Sequence, residues 1–249
     1  MKQLTNTVLA LFALCMLNSC DRDIVDETPV NTDLGNFASV KVYNASPSTL
    51  RNFFYVDGNA LNTATLAYNS TYPAPTGTYG ALLAPGTHTF LVKDTLAAAT
   101  QPPLTFTGNL VAGKNYTIYL YDTVSAMRQI IVETPLPAIT DTAPKVRLAH
   151  FAFLKGVNAP AIDVFSKNKN ANIFTNVPYG QVTNFINYTS GISDSLIVRE
   201  AGSTTNNLDT AVFTPTVKRA YTLIFGQRYM TNGTGGATLP RTLTVTTNY

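Results

Sequence analysis

The sequence contains little cysteine, histidine and charge, and it contains no tryptophan. Its two cysteines, Cys15 and Cys20, both lie in the first 20 residues, which excludes disulfides, thiolate nucleophiles and cysteine metal sites from the rest of the chain. His88 and His150 are the only histidines. Because a zinc site needs three or four His, Cys or acidic ligands, we expect no metal and no cofactor.

Charged residues make up only 12% of the chain. Removing Lys2, Arg22 and the five acidic residues of positions 1–36 from the totals of 17 basic and 14 acidic residues leaves 15 and 9, a net charge of +6. These charges are dispersed along the sequence. Nucleic-acid binding needs a basic stripe that neutralises several phosphates, so we expect no nucleic-acid partner.

The N-terminal apolar run is short, because residues 8–17 (VLALFALCML) number only ten. A membrane-spanning helix needs about 20 apolar residues, whereas ten suit the central region of a signal peptide. The run ends in residues 17–20 (LNSC), which resemble the lipobox of bacterial lipoproteins. The resemblance implies a signal peptide over residues 1–19 and a lipid on Cys20 that binds the chain to a membrane. An ordinary signal peptide followed by a chance cysteine is the alternative.

Residues 20–36 are predicted to form a flexible tether, because they hold five acidic residues against Arg22 and few apolar ones. An acid-rich stretch behind the lipidated cysteine resembles the export signal of some Gram-negative surface lipoproteins. The expected location is therefore the outer membrane, lipid-anchored and at the cell surface. A solvated spacer on a periplasm-facing anchor is the alternative.

The remainder of the chain contains one unit twice. Residues 40–44 (VKVYN) correspond to residues 146–150 (VRLAH), an offset of 106, and residues 116–120 (YTIYL) correspond to 221–225 (YTLIF), an offset of 105. Between these landmarks, residues 66–68 match 177–179. A repeat of this length indicates tandem domains rather than a solenoid.

Each copy is predicted to consist of short β-branched or aromatic strands joined by glycine-containing turns such as Asp57-Gly58. Several strands at spacings of about 8–12 residues indicate a β-sandwich. The predicted fold is all-β, with sandwich domains over residues 37–134 and 146–249. The proline-rich residues 135–145 are expected to be a semi-rigid spacer between them.

Parts of each copy resemble the bacterial family known as domain of unknown function number 4397. The first copy carries residues 44–47 (NASP) and 55–58 (YVDG), and the second carries His150 and residues 160–165 (PAIDVF). Phe53 stands where the second copy has an aspartate, Asp163. The family has no established activity. The resemblance implies two immunoglobulin-like sandwiches of an exported, adhesion-like protein.

No catalytic residues are predicted. His150 closes an apolar strand where the first copy has Asn44, and a hydrogen bond to a turn suits both residue types. His88 is expected to be exposed on a strand. The chain has no Gly-x-Ser-x-Gly elbow for a catalytic serine. Asp163 lies inside an apolar strand, where a structural hydrogen bond is favoured over glycoside hydrolysis.

Five aspartates are followed by Ser or Thr and then an apolar residue, where composition predicts roughly one such match. The pattern resembles the acceptor of a bacterial O-glycosylation system. The alternative is that Asp-Thr is simply good turn chemistry. The candidate glycosylation sites are Thr95, Thr123, Thr142, Ser195 and Thr210.

The first copy is six residues longer than the second between Tyr68 and Gly86. Tyr68, Tyr72 and Tyr79 lie in or beside this insertion, among prolines and glycines, and form the candidate ligand loop. We therefore predict a non-enzymatic binding or adhesion module with a glycan or protein ligand, held to the membrane by its N-terminal lipid. A glycan-acting hydrolase centred on Asp163 and a structural envelope scaffold are the alternatives.

Overall fold

The computed structural model describes residues 34–249, except residues 48, 50, 75, 77–78, 97–99, 139 and 231–239. The predicted signal peptide, Cys20 and the tether up to residue 33 lie outside the described residues. The described part forms one compact unit with two similar halves, which we call the first half (residues 34–134) and the second half (residues 145–249). It is almost entirely β-structure, which confirms the all-β prediction.

The described residues of the first half form nine strands, and short 3-10 helices occupy Leu34–Asn36 and Val124–Ala126. Its strands are β1 (Ala38–Asn44), β2 (Asn52–Val56), β3 (Asn59–Ala60), β4 (Ser70–Tyr72), β5 (Ala81–Leu83), β6 (Gly86–Asp94), β7 (Leu104–Leu110), β8 (Asn115–Tyr121) and β9 (Arg128–Glu133). The strands described in the second half are β10 (Lys145–His150), β11 (Ile162–Ser166), β12 (Ala171–Val177), β13 (Ile186–Asn187), β14 (Asp194–Glu200), β15 (Asn207–Phe213), β16 (Ala220–Gly226) and β17 (Thr242–Thr247).

Each half is a sandwich of two sheets with the same strand order. In the first half an inner sheet, β4-β1-β8-β9 with β5 also paired to β1, lies on an outer sheet, β3-β2-β6-β7. In the second half the inner sheet is β13-β10-β16-β17 and the outer sheet is β12-β11-β14-β15. Among the named strands of the described residues, all pairings are antiparallel except two, β1 with β8 and β10 with β16. The repeat visible in the sequence is therefore a repeat of topology.

The segments repeated in the sequence coincide with the parallel pair of each half. Val40 pairs with Tyr116 in the first half, and Val146 pairs with Tyr221 in the second. The described residues of β1 and β16 are buried along their whole length. A strand covered on both faces reads as a continuous apolar run rather than an alternating one.

Three apolar layers separate the four sheets. The first core lies between the sheets of the first half and includes Phe54, Phe90 and Ile118. The second core lies between the sheets of the second half. A third cluster, which contains Tyr119 of β8 and Phe151 just after β10, joins the two inner sheets. The outward faces of the two outer sheets therefore point away from each other. Because the halves are in direct contact, residues 135–145 do not hold them apart as a spacer would.

Arg147 is the largest fully buried side chain of this third layer. Its guanidinium donates to Thr222 Oγ1 at 3.0 Å, to Tyr119 Oη at 2.9 Å and to Thr134 Oγ1 at 2.8 Å. Among the described residues no carboxylate forms an ion pair with it. Hydrogen bonds to neutral groups of both halves therefore hold the charge between the inner sheets.

Candidate functional site

The three tyrosines of the predicted ligand loop are not displayed together, which corrects the premise of that prediction. Tyr72 lies in β4 and packs against the first core. Tyr68 is half-buried, and its hydroxyl lies close to Thr242 and Gln227 of the second half. Only Tyr79 is displayed, with 69% of its surface exposed. The inserted residues form strands β4 and β5 against β1, so pairing with the inner sheet covers the first part of the insertion.

The candidate glycosylation residues differ in their surroundings. Thr95, Thr142 and Thr210 are exposed, whereas Thr123 and Ser195 are half-buried. The Asp94 carboxylate accepts a hydrogen bond from Leu96 N at 2.8 Å, and the Asp141 carboxylate accepts one from Ala143 N at 3.1 Å. Bonds from an aspartate to the backbone two residues further on are typical turn chemistry. Glycosylation of these residues stays a prediction.

His150 is fully buried at the end of β10. Its Nδ1 atom donates to the Val177 carbonyl oxygen at 3.1 Å, and at the equivalent place in the first half Asn44 Nδ2 donates to the Leu66 carbonyl oxygen at 2.9 Å. Burial lowers the pKa of His150 to about 4. The imidazole is therefore neutral at pH 7 and stands in for an asparagine as a backbone hydrogen-bond donor.

Asp163 is also buried, and its carboxylate accepts three hydrogen bonds. The donors are Asn176 N at 2.7 Å, Gly202 N at 3.0 Å and Asn172 Nδ2 at 3.1 Å. Strand β12 and the loop that contains Gly202 are thereby fastened to β11. A carboxylate in this position is not presented to a sugar chain, so its geometry lends no support to the hydrolase hypothesis.

His88 is only partly exposed, because it lies between two turns. Its Nδ1 atom is 2.6 Å from Asp57 Oδ2, and its Nε2 atom is 2.8 Å from the Ala84 carbonyl oxygen. Burial lowers the pKa of His88, but the hydrogen bond to Ala84, the hydrogen bond to Asp57 and the charge of Asp57 outweigh it, so the pKa is raised. The contacts tie the turn after β2 to the turn before β6.

The outward face of the first outer sheet displays two aromatic rings. Strand β2 has the sequence NFFYV, and Phe54 enters the first core, so Phe53 and Tyr55 point to the opposite face. Both are half-buried, and their ring centroids are 6.4 Å apart. An open aromatic surface on the solvated side of a sheet is not required by the core, and it marks a candidate binding surface.

A cavity of about 560 Å³ opens over these rings. It is lined by Phe53 and Tyr55 of β2 and, from β6 and the chain after it, by Lys93, Asp94, Thr95, Leu96, Gln101 and Pro103. Polar side chains complete its lining, namely Lys93, Asp94, Thr95 and Gln101. Apolar walls with a few convergent polar groups are the usual composition of a ligand site. We call Phe53, Tyr55, Lys93 and the lining residues of 94–103 the aromatic cleft.

The polar groups of the aromatic cleft are held in place by neighbours. The Asp94 carboxylate accepts hydrogen bonds from Arg51 Nε at 3.1 Å and from Arg51 Nη2 at 3.3 Å. Gln101 Nε2 donates to Asn52 Oδ1 at 2.7 Å. The hydrogen bonds from Arg51 and from Leu96 N lower the pKa of Asp94, so this carboxylate is ionised at neutral pH. The cleft therefore has a fixed polar rim beside its aromatic wall.

A second cavity of about 600 Å³ lies between residues 122–128 of the first half and residues 154–158 of the second. It has no aromatic lining residue among those that the structure describes, and Asp122 pairs with Arg128 inside it at 3.4 Å. No three His, Cys, Asp or Glu side chains of the described residues are placed to hold a metal ion. The aromatic cleft therefore offers the more specific chemistry.

The sequence pointed to the insertion rather than to the aromatic cleft. A usable signal was present, because three consecutive aromatic residues (53–55) in one strand cannot all enter a core that lies on one face of it. The second half has Asp163 and Phe165 at the matching positions of β11, opposite Arg199 and Ile197 of β14. The substitution of Phe53 for an aspartate, noted in the sequence as a departure from the repeat, is therefore a feature of the cleft itself.

The family model for "Domain of unknown function (DUF4397)" matches residues 38–165, slightly more than half of the chain, and the protein belongs to this family. The matched range covers the first half and ends inside the second, so it does not test the tandem interpretation. No curated protein matches the chain significantly. Within the described residues, no helix is long and apolar enough to span a membrane.

Two solved structures are similar to this chain at low identity. One, described as "Alpha-glucan binding by a streptococcal virulence factor", is 10% identical with a TM-score of 0.24, and the match covers 75% of this chain and 93% of the other. The other is a family CBM26 module from Eubacterium rectale Amy13K in complex with maltoheptaose. It is 11% identical with a TM-score of 0.24, and the match covers 84% of this chain and 95% of that one. At these scores the likeness carries no argument about the ligand.

Proposed function

We propose that this protein is a non-enzymatic, lipid-anchored module of the cell envelope that binds glycans in the aromatic cleft. The observation that carries the proposal is the pair of outward-facing rings, Phe53 and Tyr55, beside a fixed polar rim. The C–H faces of sugar rings stack on aromatic rings, and their hydroxyl groups hydrogen-bond with side chains such as Gln101 and Thr95. Tyrosine suits such a surface, because its ring is apolar and its hydroxyl is polar.

The position of the cleft supports this function. It lies on the outward face of an outer sheet, away from the layer that joins the two halves. A ligand can therefore occupy it without disturbing either core. The proposed anchor at Cys20 and the tether of residues 20–36 rest on the sequence alone. Together they would present the described part of the protein to ligands outside the membrane.

The test uses the mature protein with Cys20→Ala, so that it stays soluble. Binding to an array of oligosaccharides identifies ligands, and titration calorimetry then compares the parent with Phe53→Ala and Tyr55→Ala. Each replacement should weaken binding about tenfold or more, because an aromatic residue at the centre of a small interface contributes more than about 1.4 kcal/mol.

Tyr79→Ala is the matched control, because it removes an exposed tyrosine from the predicted ligand loop. It should leave the affinity unchanged. An array without any bound glycan would contradict the proposed function. An equal loss of affinity in Tyr79→Ala and Tyr55→Ala would place the site outside the aromatic cleft.

A further inference from the structure

We propose that the glycan bound in the aromatic cleft is acidic, and that the Lys93 ammonium group pairs with a carboxylate or sulfate of a sugar stacked on Phe53 and Tyr55. This inference rests on the proposed function, and it names the class of ligand. Its basis is the charge and geometry of the cleft.

Lys93 is placed to meet a ligand on the two rings. In the pairing of β2 with β6 it lies directly opposite Phe53, and its Nζ atom is 4.8 Å from the centroid of the Tyr55 ring. The side chain is exposed, and it forms no ion pair with any residue that the structure describes. Its charge is therefore available at the mouth of the cleft.

The acidic group beside it is already neutralised. Both oxygens of Asp94 accept hydrogen bonds from the Arg51 guanidinium, and Leu96 N adds a third bond. The two charges of that pair cancel, so the unpaired charge among the described residues of the cleft is the Lys93 ammonium. The net charge of +6 for the chain beyond residue 36 has the same sign. A positive site on a positive protein favours an anionic ligand and speeds its approach.

The second half repeats this arrangement with different residues. The Arg199 guanidinium carbon is 4.2 Å from the centroid of the Phe165 ring, at the register of Lys93 and Tyr55. Both pairs lie on outward faces, where neither core needs them. Arg199 Nε donates to Asn207 Oδ1 at 3.0 Å, so this guanidinium already has a partner. Because Asp163 stands where the first half has Phe53, the second half has one ring beside its cation rather than two.

The experiment measures calorimetric affinities of the Cys20→Ala protein for five probes. They are oligogalacturonate, its neutral methyl ester, a sulfated galactan oligosaccharide, its neutral desulfated form and maltoheptaose. At least one acidic probe should bind tenfold or more tighter than its neutral counterpart, and raising the salt concentration should reduce that preference. The carboxylate pair and the sulfate pair report separately on the two anionic groups.

Three variants test the role of Lys93. Lys93→Gln should abolish the preference for the acidic probe while binding of its neutral counterpart stays within twofold, and Lys93→Arg should restore the preference. Lys155→Gln removes an exposed lysine of the second half and should change nothing. A purely structural cation–π pair would lower the melting temperature of Lys93→Gln without changing the acid preference, and that result overturns the inference.

The two proposals fail in different ways. Equal binding of acidic and neutral probes would overturn the acidic ligand and leave glycan binding intact. Binding of none of the five probes, together with neutral hits on the oligosaccharide array, would also overturn only the acidic ligand. An array without hits overturns both.

Discussion

Replacing His150 by Asn should remove a large part of the acid sensitivity of folding. His150 is buried with its pKa lowered to about 4, against an ordinary value of 6.5. Asn is the residue that the first half uses at the same place, as Asn44, with the same kind of hydrogen bond to the backbone. The replacement therefore removes a titrating group and keeps a donor for the Val177 carbonyl oxygen.

The sign and size of this change in the free energy of unfolding follow from proton linkage. Below pH 6.5 the unfolded chain binds a proton on His150, whereas the folded protein does not bind this proton until about pH 4. The stability that this neutral imidazole contributes is therefore complete above pH 6.5 and is lost as the pH falls towards 4. Between pH 7.5 and 4.5 the loss amounts to roughly 2.5 kcal/mol in the free energy of unfolding.

The rings around His150 do not add a competing titration. Tyr179, Phe225 and Tyr229 have centroids 5.7–6.2 Å from the imidazole. Burial raises the pKa of Tyr179, and it raises that of Tyr229 to about 12. Neither tyrosine titrates between pH 4 and 8, so the pH dependence at this place belongs to the histidine.

Urea denaturation at pH 7.5 and pH 4.5 measures the effect. The parent should lose about 2.5 kcal/mol more than His150→Asn over this interval, because all other titrating groups cancel in the comparison. A small loss at pH 7.5 from poorer packing does not affect this difference. Equal pH dependence in the two proteins would refute the reasoning, since it would mean that His150 takes up its proton equally in both states.

Three further outcomes are expected. Arg147→Ala should lower the free energy of unfolding by about 2–4 kcal/mol in urea denaturation. Arg147→Met should stay within about 1 kcal/mol of the parent, because an apolar side chain fills the space without a buried charge. Equal losses in the two variants would show that the charge is essential. Because the pKa of His88 is raised in the folded protein, its protonation stabilises the fold below pH 6.5, and this contribution is lost as the pH rises through the folded pKa. Between pH 6 and 9 the melting temperature of the parent should therefore fall further than that of Asp57→Asn. Cys20→Ala in the full precursor should abolish labelling by a palmitate analogue, and equal labelling of mutant and parent would contradict the lipoprotein prediction.

The fold was predictable where burial produces a clear pattern. Residues 40–44 and 116–120 read as strands because the parallel pair β1 and β8 is buried on both faces, and the same pattern recurs in the second half. The contact between the halves was not predictable. Tyr119 and Phe151 are aromatic residues of the kind found in any core. The sequence does not tell whether the second face of a strand is covered by its own domain or by another.

The site was predictable only in part. The alternation in residues 52–56 places Phe53 and Tyr55 on one face, but other lining residues, Asp94, Thr95, Leu96, Gln101 and Pro103, follow no periodicity that predicts their place beside β2. Tyr72 was misjudged for a related reason. Its neighbours are prolines and glycines, which indicate a loop, whereas pairing with Val42 of β1 draws it onto the first core.

The two halves differ at the position that carries the proposed binding surface. In the second half, strand β12 covers seven residues beside β11, and Asp163 fastens β12 and the loop that contains Gly202 to β11. In the first half, β3 has only two residues, and the chain that follows it is held to β2 by backbone bonds of Leu61 and Leu66 and by the Asn62 side chain rather than by a carboxylate. The position that corresponds to Asp163 is occupied by an aromatic residue, Phe53. The same position thus fastens a strand and a loop of the protein itself in the second half, and in the first half it belongs to the proposed ligand site.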